Sequence, residues 1–347
     1  MGDEAARSRF ITICAVGSSG GMDGIMEKQV QTKTPLSKRL SMQTLVTMSI
    51  MLLIFIILSI ISPKFLQLTN ITNVARQIAV VVITGSAVTL LMISGNIDLS
   101  VGSVMGLSGV VYAQFAVMKI PLFLALLLAV AVGAMCGFIN GFTVTRLHVT
   151  PVIATLGVMY IARGMAFILC NGRTVNLGLP RDFNKLGTGW LLGLPTVLIF
   201  MVLIVAIFIF IERKTLLGKY AFAIGGNRTA ATLSGINDNK MIWSLYTITG
   251  ILAAFSGVLM GSRLGVGDPA VGTGFEFDVI VAVVLGGTSL NGGEGSVIGM
   301  VIGALIVGFL GNGLNLMGVY TFYQSVLMGV VLVSAVVLDG IFKRKLR

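Results

Sequence analysis

The residues that could do chemistry in this chain sit where glycine interrupts long apolar runs. Two interruptions resemble each other: GNIDLSVGS (Gly95 to Ser103) and GVGDPAVGT (Gly265 to Thr273). Each sets one carboxylate, Asp98 or Asp268, among glycines and a hydroxyl, at a constant offset of 170 residues. A third polar stretch, KTLLGKYAFAIGGNRTAATLSGINDNK (Lys214 to Lys240), has Arg213, Lys214, Lys219, Arg228 and Lys240 in or beside it. None of these has the make-up of a catalytic centre. The three cysteines (Cys14, Cys136, Cys170) are scattered, and the single histidine, His148, lies in a short loop. There is no nucleophile elbow or phosphate-binding loop, so neither an intramembrane enzyme nor an ATP-binding chain is supported.

The elements that must position these residues are membrane helices. The chain has 347 residues, of which 56% are hydrophobic and only 11% charged, and its mean hydropathy is +0.98. Apolar runs of about 20 residues match a bilayer core about 30 Å thick, and they are continuous rather than alternating as in a barrel. The expected fold is all-α: a polytopic helical membrane protein of about ten transmembrane helices. The spans read as roughly 43–61, 77–94, 101–118, 121–145, 150–170, 191–211, 241–262, 279–290, 296–316 and 322–342. An amphipathic connector precedes the second, and the eighth is unusually short. Residues 1–40 are polar and rich in Gly and Ser; they read as a disordered cytoplasmic tail or as a translation artefact ahead of a start at Met26. A basic tail, residues 343–347, ends the sequence.

The net charge of +11 is a topological signal here, not a sign of nucleic acid. An even number of spans puts both termini on one side. Sixteen of the twenty-four basic residues then fall on that side, which marks it as cytoplasmic. The basic segment, 212–240, faces the cytoplasm in that orientation. Its middle reads as a short helix with Asn227 as its cap, Ala230 and Ala231 inside it and Gly235 closing it. A structured basic loop among short ones is expected to meet a soluble partner.

The 170-residue offset also carries Gly133-Ala134 onto Gly303-Ala304. Five spans per half would invert the second half relative to the first, an inverted-repeat plan in which paired, glycine-broken segments point to a translocation path. A break at membrane depth survives only where protein or a water-filled cavity satisfies its backbone. Asp98 and Asp268 have a structural alternative as caps for the helices that follow. Glu276 and Asp278 similarly suit the start of the eighth span, and Arg163 and Arg263 suit snorkelling or pairing with an acid.

At GNIDLSVGS, GKYAFAIGGNRTAATLSGIN, GGTSLNGGEGSVIG and GNGLNLMG the sequence resembles the permease subunits of ribose-type sugar ABC importers, from about residue 45 to the end. The N-terminal extension departs from that pattern. The resemblance implies a multi-pass permease domain over 41–342 in the bacterial inner membrane, both termini cytoplasmic, working as a homodimer surrounded by lipid. It implies two partners: a periplasmic sugar-binding protein, and a cytoplasmic ABC ATPase with two fused nucleotide-binding domains that holds the ATP and magnesium, so that this chain binds no cofactor. The ATPase coupling loop would comprise Gly225, Gly226, Asn227, Arg228, Ala230, Ala231, Ser234, Gly235 and Ile236. Glycines 225, 226 and 235 would let the chain turn at either end of its helix. Spans six and seven would carry its motion to the pathway.

A sugar is neutral and hydroxylated, so its path needs amides and hydroxyls. Candidates are Asn96, Ser100, Ser103, Asn140, Thr155, Thr288, Asn312, Asn315 and Gln324, with Asp98 beside them. Hydrogen bonding between helices is the competing role for each. The glycine-dense stretch Gly286 to Gly299 suits close helix packing and gating equally. The alternative function is an ion-coupled secondary transporter of a small polar solute. That would need ionisable residues deep in several spans, whereas the acids here lie at breaks and ends.

Overall fold

The computed structural model describes residues 36–320, 322–330 and 333–334. The described residues from 44 onward form one compact unit. The expected N-terminal tail therefore lies outside the described residues, apart from helical backbone at 36–40, and so do the Met26 start and the basic tail at 343–347.

Helices α1 (Leu36–Ile61), α2 (Leu68–Ile93), α3 (Val101–Val117), α4 (Leu122–Thr145) and α5 (Pro151–Leu169) come first. A folded connection follows, with a 3-10 turn (Arg181–Asn184), a one-turn helix α6 (Lys185–Thr188) and a hairpin of β1 (Trp190–Leu191) and β2 (Leu194–Pro195). Then come α7 (Thr196–Lys214), α8 (Leu216–Gly226), α9 (Arg228–Leu233), α10 (Asp238–Leu264), α11 (Phe275–Leu285) and α12 (Val297–Leu316). Residues 322–330 and 333–334 are again helical. Proline marks several boundaries. Pro63 follows the end of α1, and Pro151 opens α5 at a position where its missing N–H has no helical partner to lose.

Among the described residues α2, α4, α5, α7, α10 and α12 are long and apolar enough to cross a membrane, and residues 47–61 and α3 are shorter apolar helices. A count of ten rests further on α11 and on the helical residues after 321. The second span starts at Leu68, nine residues earlier than expected. Its polar first turns are satisfied within the helix and by α12: Thr72 Oγ1 donates to the Leu68 carbonyl at 2.7 Å, and Asn70 pairs reciprocally with Asn312 at 2.9 and 3.0 Å. The eighth span is short, as expected, but lies further toward the N-terminus. It begins at Phe275 and is stopped by Gly286 and Gly287, the latter at φ 90°.

Two equivalent helices cross at the centre. Helices α2 and α10, of 26 and 27 residues, begin 170 residues apart. Each leads into a non-helical break and then a shorter helix, α3 of 17 residues and α11 of 11. Their contacts run in opposite directions along the two sequences. Ser256 of α10 meets Val80 and Thr84 of α2, at 3.3 and 2.9 Å, whereas Tyr246 reaches Ile97 beyond the end of α2 at 3.0 Å. The two helices are antiparallel, so the halves are inverted. Most of α2 and α10 is buried, together with nearly all of α3. In α7, by contrast, only Val197 and Phe208 are buried. An almost fully apolar helix with so little protein cover is one whose solvent is lipid.

Helix α4 packs on α10 through glycines. A Cβ on Gly250 would overlap the Gly133 carbonyl, and one on Gly133 would overlap Gly250 in turn, the close backbone approach that small residues permit in membranes. At the far end of α10 the 170–195 connection folds back into the bundle. Phe183 stacks on Tyr112 at 4.9 Å, and Ser262 Oγ donates to the Phe183 carbonyl at 2.6 Å.

Candidate functional site

The basic segment is more ordered than a loop. Helix α8 occupies its first part, where Gly218, Ala221 and Ile224 recur on one buried face and Thr215 caps the start. Helix α9 then forms where the sequence places it. Asn227 Oδ1 accepts from the Ala230 amide at 3.0 Å. Beyond Ser234 the chain turns left-handed at Gly235 (φ 85°). The Ile236 amide donates back to the Ala231 carbonyl at 3.1 Å and the Gly235 amide to Thr232 at 3.0 Å. That pair of bonds is the Schellman termination, which favours glycine at the left-handed position. Asn237 in turn caps α10 through the Lys240 amide at 3.0 Å. An Arg228–Asp238 ion pair at 2.7 Å ties the first residue of α9 to the first residue of α10.

The two alanines of α9 are not equivalent. Ala231 is buried, whereas Ala230 is exposed beside Thr229, Thr232 and Leu233, and Leu233 is 84% exposed. An apolar tip on a capped helix is a contact surface. Sequence reasoning missed both Leu233 and Asp238, and the S/T/N-x-x spacing of the caps was the only available signal. Of the two glycines expected to turn the chain before α9, neither does: both belong to α8, and the turn is made by Asn227 in extended backbone.

The first break is a buried polar knot. Asp98 Oδ1 accepts from the Ser100 amide at 2.8 Å and from Ser100 Oγ at 2.6 Å. Asn140 of α4 donates through Nδ2 to Ser100 Oγ at 2.9 Å, with both Asp98 oxygens at 3.4 Å. The Tyr246 hydroxyl donates to the Ile97 carbonyl. Asn96 turns onto Ser94, at 3.1 and 3.2 Å. Asn96, Asp98, Ser100, Ser103 and Asn140 are all buried, and Asn140 Oδ1 is left without a partner.

The second break, 265–274, repeats the local geometry. Asp268 Oδ1 accepts from the Ala270 amide at 2.9 Å, the same two-residue step that Asp98 makes to Ser100. Neither carboxylate caps its following helix. Each closes a turn inside its break instead, because the short side chain reaches the amide two residues on before any helix has begun. The break lies along α3 and is held from outside by Arg163 of α5. Its Nη1 donates to the Pro269 and Val271 carbonyls at 2.5 and 2.8 Å. Glu276 and Asp278 occupy the first turn of α11, as expected.

The remaining candidates do not join this knot. Asn312 is engaged with Asn70, and Gln324 donates to Asn315 at 2.8 Å. Thr155 bonds within its own helix to Pro151 at 2.9 Å. Thr288 is buried with its hydroxyl unpartnered. A cavity of about 460 Å³ opens between the first break (Ser94 to Asn96), the 148–151 turn and Gly225 to Arg228. Its walls carry the amides of Asn96, Asn227 and Asn291 along with His148 and Arg228.

Residues 70–336 match the family described as branched-chain amino acid transport system / permease component. Among curated proteins the chain is 40% identical over 293 residues to the ribose import permease protein RbsC of Escherichia coli (strain K12), covering 84% of this chain and 91% of that one. It is 41% identical over 288 residues to the RbsC of Bacillus subtilis (strain 168), covering 83% and 89%. The D-allose transport system permease protein AlsC of Escherichia coli (strain K12) is 35% identical over 321 residues, covering 92% and 98%. No solved structure matches.

Proposed function

The chain belongs to the branched-chain amino acid transport system / permease component family, and on that premise we propose that it is the membrane-spanning permease of an ATP-driven monosaccharide importer. Relatives aligned over most of both lengths are named for ribose and allose, and another for fructose. The substrate class is a pentose, hexose or related polyol. The permease lies in the bacterial inner membrane with both termini and the α8–α9 segment on the cytoplasmic side, the orientation that the distribution of basic residues supports. ATP and magnesium are held by a separate ATPase with two fused nucleotide-binding domains. A binding protein delivers the sugar from outside, and two copies of the permease enclose the path.

One observation carries this reading: α9 is a helix of six residues, capped at both ends, that exposes Ala230 and Leu233 between two long membrane helices. A rigid element transmits displacement, whereas a floppy loop would absorb it. The bonds that close α9 and the ion pair to Asp238 make α9 rigid relative to α10. The amides of Asn96, Asn227 and Asn291 that line the cavity beside the first break fit a path for a neutral solute. Co-expression of the chain with an ABC ATPase that carries two fused nucleotide-binding domains, taken from the same genome, tests the reading. The ATPase is expected to copurify with the permease and to be lost when Ala230→Glu places a bulky charge on the exposed face. An ATPase held equally well by the Ala230→Glu variant would contradict docking at α9.

A further inference from the structure

Motion of the coupling segment needs a route to the breaks, and the covalent route runs only through α7 and α10. The structure contains a second route made of backbone alone. Three segments converge where α8 ends: Ile93 to Gly95 at the close of α2, Gly225 and Gly226 of α8, and Gly292 and Gly293 in the connection after α11. The Gly293 amide donates to the Ile93 carbonyl at 2.8 Å. A Cβ on Gly225 would overlap that same carbonyl and lie 2.5 Å from the Gly293 nitrogen. A Cβ on Gly292 would lie 2.8 Å from the Gly95 nitrogen and 3.0 Å from the Gly225 Cα. No side chain separates the three backbones.

We propose that Gly225 is a positioning residue through which displacement of α8–α9 is delivered directly to both inverted halves of the permease. The inference rests on the importer reading. Packed backbone has no soft rotamer to absorb a push, since close-packed protein matter transmits strain. In the first half the push arrives at Ile93 to Gly95, where the Asp98 knot begins. In the second it arrives at Gly292 and Gly293, four residues before α12. Glu212, at the end of α7, accepts from the Val297 amide at 2.7 Å and fixes the start of α12 to the helix that enters the coupling segment. The two halves are thus driven from one point. This gives the stretch Gly286 to Gly299 two roles, with Gly286 and Gly299 packing α12 on the end of α11 and Gly292 and Gly293 meeting the coupling segment.

The test uses the complete complex in proteoliposomes, with uptake of mixed radiolabelled ribose, allose and fructose measured per ATP hydrolysed. Gly225→Ala is expected to keep its ATPase bound while that ratio falls about tenfold. Gly157→Ala, at a site with nothing within 4 Å, is expected to match wild type. A Gly225→Ala complex with the wild-type ratio overturns the proposal. If that variant does not assemble, amide exchange in the wild-type complex decides. With a non-hydrolysable ATP analogue, exchange at 93–96 and 289–295 is expected to change together with 216–233, and no change at 289–295 overturns the proposal. A wild-type complex with no ATP-driven uptake overturns the importer reading itself, and this inference with it.

Discussion

Asp98 holds the first break with a single side chain. Its Oδ1 serves the Ser100 amide and hydroxyl, and Asn140 closes the knot from α4. Asp98→Ala leaves buried donors without an acceptor, a loss of about 1–3 kcal/mol for each unsatisfied group. The expected outcome is a clearly lower Tm in detergent, with helical content unchanged, and an unshifted Tm would show that the knot is not structural. Ala230 and Ala231 separate in the opposite way. A charge at buried Ala231 should lower Tm, whereas the same change at exposed Ala230 should leave stability within about 0.5 kcal/mol of wild type and act only on the partner. At this scale the sequence singled out the polar residues of the breaks. It could not divide the ten path candidates, because whether Asn140 meets Asp98 or Asn312 meets Asn70 depends on which helices adjoin.

Helix α9 was legible as an element because its signals are local: an asparagine cap, two alanines and a terminating glycine within nine residues. Gly235 holds a left-handed conformation, so Gly235→Ala costs about 1–2 kcal/mol and should fray α9. Amide exchange of residues 231–236 reports this, and unchanged protection there would contradict the assigned termination. Helix α8 was not legible, since its 11 residues carry two lysine-or-tyrosine positions and three glycines that read as loop. Tertiary burial of Ala221 and Ile224 overrides that composition. The starts of α2 and α11 were misplaced for the same reason. Polar residues at 68–77 find partners in the folded chain, and Glu276 and Asp278 sit in the first turn of α11, where a helix start favours acids; hydropathy alone registers neither.

At the scale of the molecule, the repeat was visible as two glycine-flanked aspartates, and the fold shows why both survive: each closes the same turn in an antiparallel pair of halves. The halves are nonetheless held differently, the first by Asn140 of α4 and the second by Arg163 of α5. Arg163→Met removes both donors to the Pro269 and Val271 carbonyls. It is expected to free the 265–274 segment, read as faster thiol labelling of a cysteine placed at exposed Ala270, and equal labelling rates would rule out the clamp. Direct measurement of energised uptake bears most closely on the central claim, that this chain is a path moved by another subunit. In proteoliposomes given mixed radiolabelled ribose, allose and fructose, accumulation is expected only when binding protein, ATPase and ATP are all present. Accumulation by the chain alone under an imposed proton gradient would contradict it.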